Sequence, residues 1–144
     1  MLLTPTKLAI VVCTHLVPYY EQGRRLSVPD MEEQFKINPR TLNPALRILV
    51  HAGILNSRTG GSDRGYILAR DPKDVSIYEI IQLIQGEPKV NCLMNEGGCI
   101  NCNVGKSKNG HCLVFNALNR VLEMTRTEIG KISLYDQYYN HQEI

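Results

Sequence analysis

Four of the five cysteines, Cys92, Cys99, Cys102 and Cys112, fall in one stretch at Cys-x6-Cys-x2-Cys-x9-Cys spacing, with His111 beside the last. Thiolates are soft ligands, so four in one Gly- and Asn-rich segment suit zinc or an iron–sulfur cluster better than a hard cation. Free thiols, a local disulfide and thiol redox chemistry at Cys99-x-x-Cys102 are the alternatives. An odd, crowded count does not make the disulfide framework of a secreted domain, so a reducing, cytoplasmic setting is expected. Cys13 stands apart among apolar residues at helical spacing and reads as a core thiol; His15 takes the same ordinary reading. No carboxylate pair or nucleophile–base arrangement stands out, and the strand–helix alternation expected around a thioredoxin-like Cys-x-x-Cys is missing. An enzyme is not expected.

A second set of residues carries charge. Lys36, Arg40, Arg47, Arg58, Arg64 and Arg70 face a single acid, Asp63, between positions 36 and 70, a local +5 in a chain of formal net charge +2. A basic stripe on a nearly neutral protein suits a focused contact with a polyanion, against the plainer reading of a solvated surface.

The elements that would position these groups can be read in order. Leu8, Val12, Leu16 and Tyr19 recur at helical spacing and predict a first amphipathic helix over 5–20. Ser27-Val-Pro-Asp30 predicts a capped helix start, with the helix ending near Phe35. Asn38-Pro39 opens a second helix running to His51, with Leu42, Leu46 and Leu49 buried and Arg40, Thr41, Asn43 and Arg47 largely outside that stripe. Pro44 makes Asn43-Pro44 a rival start. Two short helices joined by a tight turn, the second basic near its start, follow helix–turn–helix logic. Gly53–Arg58 and Tyr66–Arg70 are β-prone runs flanking a Gly-rich tip, a hairpin wing whose Arg58 and Arg64 suit phosphates or a narrow minor groove. The glycines make no phosphate loop, because no Gly-Lys-Ser/Thr and no helix start follow. Ser76 caps a helix through Gln85, and Gly86-Glu-Pro88 stops it.

The expected fold is therefore mostly α with a small β-hairpin wing: a winged helix–turn–helix over 1–86, a cysteine-bearing loop over 87–111, and a helix and closing segment over 112–144. Val114, Leu118, Val121, Leu122 and Ile129 form a stripe on the last long helix that suits a dimer seam, or packing on its own domain. At 144 residues and 43% hydrophobic the chain can build a real core. No apolar run approaches the roughly 18 residues of a spanning helix, and no membrane association is expected.

In order and spacing these pieces resemble the Rrf-type family of winged-helix regulators, the IscR-, NsrR- and CymR-like proteins. The resemblance rests on Met1-Leu-Leu-Thr4, Leu42…Leu46…Leu49…Ala52-Gly53-Ile-Leu55, and Gly65-Tyr66-Ile-Leu68. It continues through Val75-Ser-Ile-Tyr-Glu-Ile-Ile81, Val90-Asn-Cys92, Cys112-Leu113 and Ile132-Ser-Leu134. It implies a homodimer on a palindromic double-stranded DNA operator, acting as repressor or activator. It also implies a [2Fe–2S] or [4Fe–4S] cluster on Cys92, Cys99 and Cys112, sensing redox state, nitric oxide or iron–sulfur supply. Cys102 could stand for Cys99, and Cys102, His111 or a cross-dimer His15 could be the further ligand. Phe115 stands where IscR-like members carry a histidine, and residues 1–20 hold no acid of the NsrR-like kind. A structural zinc site or thiol switch without a cluster is the alternative. Pro44 and the Ser62-Asp-Arg64 tip depart from the family pattern at DNA-facing positions.

Overall fold

The computed structural model describes residues 2–89 and 113–140. Helix α1 spans Thr4–His15 and is followed at once by α2, Val17–Glu21. The single helix expected over 5–20 is thus two. Pro18 lacks the N–H that a continuous helix would need there, and the chain re-starts with Leu16 as the N-cap of α2. Leu16, Val12, Cys13 and Val17 are all fully buried around the break. Burial pushes the Cys13 thiol up to about 12, which keeps it protonated and inert.

Helix α3 covers Val28–Phe35 and opens on a reciprocal box: Ser27 Oγ accepts from the Asp30 N–H, and the Asp30 carboxylate accepts from the Ser27 N–H. It ends at Lys36, which takes the left-handed conformation at φ 57°. Helix α4 runs Pro39–His51, with the Asn38 side chain accepting from the Arg40 N–H at 2.9 Å. This cap settles the start at Asn38, so Pro44 lies inside the helix. Leu42, Ala45, Leu46 and Leu49 form its buried face.

Strands β1, Leu55–Arg58, and β2, Gly65–Leu68, pair antiparallel with Leu55 opposite Leu68 and Arg58 opposite Gly65. Leu26 adds a bridge on the other edge of β2: its N–H donates to the Tyr66 carbonyl at 2.9 Å, and the Tyr66 N–H donates back at 2.8 Å. A 3-10 turn at Pro72–Asp74 leads to α5, Ile77–Gln85, capped by Ser76 and ended by Gly86 at φ 77°. Helix α6 spans Leu113–Gly130 and α7 Leu134–Asn140.

The described residues divide into two compact units, one within Met1–Gly86 and Ile129–Ile144, the other within Glu87–Glu128. The closing segment therefore belongs with the winged-helix unit. Leu134 is fully buried there. Ser133 pairs with Ser76, with the Ile77 N–H donating to Ile132 and the Leu134 N–H to Val75, each at 2.9 Å. At the other end of α7, the Tyr139 hydroxyl donates to the Glu21 carboxylate, and that bond to an anion pushes the phenol up to about 12.

Two outcomes test this arrangement. Gly65 sits at φ +126°, and a Cβ there would lie 2.6 Å from the Leu26 carbonyl oxygen. Gly65→Ala should cost about 1–3 kcal/mol in urea unfolding. Gly60→Asn, at φ +82° with nothing within 4 Å of a Cβ, should stay near the parent midpoint. In native protein at pH 8, mass-mapped alkylation should leave Cys13 unmodified until urea unfolds the chain.

Candidate nucleic-acid interface

The solvent side of α4 follows from its buried side. At about 100° per residue, Arg40, Pro44, Arg47 and His51 fall within about 60° of one another, opposite Leu42, Ala45, Leu46 and Leu49. All four are exposed. Asn43 and Ile48, also exposed, flank this stripe on either side. Thr41 falls toward the buried face and is half-buried, so it lies at the margin of the surface rather than on it. Helix and turn are held firmly: the three residues between α3 and α4 include Ile37, which is buried, and the caps at Ser27 and Asn38 fix both helix starts.

The wing stands beside this helix-turn-helix because its base is bonded to Leu26 and Arg25, just ahead of the Ser27 cap of α3. The Arg25 guanidinium reaches across to the Asn56 carbonyl at 3.2 Å, the Asn56 side chain at 3.0 Å and the Gly65 carbonyl at 3.3 Å. Arg25 is half-buried and serves as a strut. At the tip, Arg58 pairs with Asp63 at 2.9 Å with both side chains about three-fifths exposed. Such a surface pair adds little stability, but it cancels charge locally. Arg64 is exposed.

The basic stretch read between 36 and 70 is thus unequal. Arg70 faces away from a polyanion role: its guanidinium pairs with Glu79 at 2.6 Å and donates to the Asp74 carbonyl at 2.9 Å, tying the end of β2 to α5. Arg40, Arg47 and Arg64 form no ion pair among the described residues. Two members of the surface and the strut beneath the wing were missed from sequence. Ile48 and His51 need only the helical period carried to the end of α4. Arg25 had no local signal, since its partners lie 31 and 40 positions away.

The proposed ligands Cys92, Cys99, Cys102, His111 and Cys112 lie outside the described residues. Among the described residues no group of three or more His, Cys, Asp or Glu side chains is placed to hold a metal ion. His15 is exposed and its ring lies 4.8 Å from that of Phe35, at the end of α3. Its Nδ1 is 2.8 Å from the Val11 carbonyl, which can only accept, so the neutral ring keeps its lone pair on Nε2. No helix among the described residues is long and apolar enough to cross a membrane.

Comparison with known proteins gives this surface its context. The Rrf2 family, described as iron-dependent transcriptional regulator, matches residues 2–140. A Bacillus subtilis (strain 168) protein named as an HTH-type transcriptional regulator, YwnA, is 26% identical over 128 residues, covering 88% of this chain and 92% of that protein. Among solved structures, T. potens IscR matches with a TM-score of 0.74 at 19% identity, over 99% of this chain and 89% of that one. CymR, the global cysteine regulator of B. subtilis, matches with a TM-score of 0.73 at 16% identity, over 96% of this chain and 95% of that one. At those identities the structures establish the fold, a winged helix with a two-stranded wing. The named relatives are regulators of transcription, not enzymes. The chain belongs to the Rrf2 family of DNA-binding transcriptional regulators.

Proposed function

We propose that this regulator works as a homodimer on a palindromic operator and changes its DNA affinity through its cysteine stretch. The observation that carries the DNA half is the exposed stripe of α4, with Arg40 and Arg47 opposite a wholly apolar buried face. Arg40, Asn43 and Arg47 would enter the major groove with Thr41 at the edge, while Arg58 and Arg64 approach phosphates from the wing. Arg58 can do so only by giving up Asp63, which makes Arg64 the stronger wing contact. A second copy would join along α6, where Val114, Leu118 and Val121 are exposed at i, i+4 and i+7 spacing.

The sensing half rests on donor chemistry. Four thiols within 21 positions, with His111 adjacent, fit a soft metal or cluster. Cys92, Cys99 and Cys112 would hold an iron–sulfur cluster, with Cys102, His111 or the partner protomer's His15 as a further ligand. The cluster would supply sensitivity to oxidants, nitric oxide or iron–sulfur supply, as a structural zinc would not. The occupied and unoccupied loops would favour different populations of DNA-competent dimer.

Binding to a duplex containing the operator should weaken steeply with salt. Arg47→Ala and Arg64→Ala should each lower the slope of log K against log salt by about 2, one contact being lost from each protomer of the dimer. Asp63→Asn, which frees Arg58, should instead tighten binding at low salt. Unchanged slopes in both alanine variants would remove α4 and the wing from the interface.

Protein purified without oxygen should be brown and carry iron with acid-labile sulfide. Colourless protein with stoichiometric zinc would establish the structural-site alternative. Cys92→Ala should lose the metal and shift DNA affinity; equal affinity in loaded, stripped and Cys92→Ala protein would end the switch reading.

A further inference from the structure

The DNA-facing stripe of α4 is not uniformly polar. Pro44 lies near its centre and is exposed, and Ile48, one turn further on, keeps 39% of its surface exposed. Residues four apart are neighbours on a helix surface, so the two make a continuous apolar edge running along the helix. Asn43 and Arg47 run along the other edge, with Arg40 between the two at the N-terminal end. The buried face of α4 is made of Leu42, Ala45, Leu46 and Leu49 and includes neither residue. Both are poor choices for a merely solvated helix. A proline inside a helix removes the donor to the carbonyl four residues back, here that of Arg40, and a branched aliphatic side chain gains nothing from water.

A phosphate offers such an edge nothing, and neither does the acceptor and donor array of a G·C pair. The major groove contains one apolar group, the 5-methyl of thymine. The cations beside the edge decide the occupant. Arg40 and Arg47 flank it on the same stripe and His51 follows at its end, so a polyanion that also carries a methyl group fits where a second protein's apolar face would have to bury those arginines unpaired. We infer that Pro44 and Ile48 form a thymine-methyl contact, which makes them specificity-determining residues of this regulator and places a thymine within each half-site. The inference rests on α4 being the base-reading helix.

The test uses the full-length protein and duplexes enriched by it from a random-sequence library. Each thymine of the enriched site is replaced in turn by deoxyuridine, which keeps every hydrogen-bonding group and lacks only the methyl. Affinity is read by fluorescence anisotropy at fixed salt. At one position in each half-site, wild-type protein should bind uracil about fourfold more weakly, the size expected for withdrawing one methyl from an apolar contact. Ile48→Ala or Pro44→Ala should bind thymine and uracil there equally. Arg47→Ala should weaken both duplexes and keep the difference. A scan that is flat for wild-type protein overturns the inference, as does a thymine preference that survives in both apolar variants. If no sequence is enriched at all, the base-reading role of α4 fails, and this contact with it.

Discussion

The arrangement depends on one close approach, that of β2 to the backbone at residues 25–27. Leu26 and Tyr66 exchange two hydrogen bonds of 2.8 and 2.9 Å, and Gly65 lies so near that a single added carbon would meet the Leu26 carbonyl at 2.6 Å. The next residue, Ser27, is the cap from which α3 begins. The wing is thereby fastened to the start of the helix–turn–helix rather than hanging from the end of α4. Arg25 completes the join by donating to both strands of the hairpin. A hairpin of two short strands is marginal by itself in water, so its direction relative to α4 is set by this third edge.

That join also explains why the arginines cannot be treated as one charge patch. Arg25 and Arg70 spend their donors on carbonyls and a carboxylate that hold the base of the wing and its exit into α5. Arg58 is balanced by Asp63. Within the basic stretch, the charge that faces outward without an ion pair among the described residues comes from Lys36, Arg40, Arg47 and Arg64, split between a turn, a helix and a hairpin tip. Long-range attraction needs only the sum of charges, whereas reading a groove needs those charges at set positions.

Features written in adjacent residues were legible without the structure. Ser27, Asn38 and Ser76 announce three helices because capping is a local transaction between a side chain and the next turn. The hairpin limits, the buried stripe of α4 and the core thiol Cys13 follow from period and polarity in the same way. What the sequence hid involves distance along the chain. The strut made by Arg25 needs Asn56 and Gly65, and the neutral pairing of Arg70 needs Glu79. The division of the first helix at Leu16 was open to view in Pro18 but was masked by apolar residues that continue the stripe across the break. For the cysteines, spacing and donor type remain the ground of the reading.

Helix α5 lies where the chain passes out of the winged-helix unit and back into it. The chain leaves the winged-helix unit directly after α5, at Gly86, and re-enters it at Ile129. The returning segment is then bonded to the other end of the same helix: Ser133 pairs with Ser76, the cap of α5, and the Ile77 N–H at its first turn donates to Ile132. Both covalent junctions of the Glu87–Glu128 unit thus bear on the two termini of one nine-residue helix. Ile80 is fully buried and Ile81 nearly so, and α5 packs on α1 and α4. A close-packed interior transmits a shift of such a helix rather than absorbing it. Displacing either end of α5 would therefore move the layer on which α4 rests.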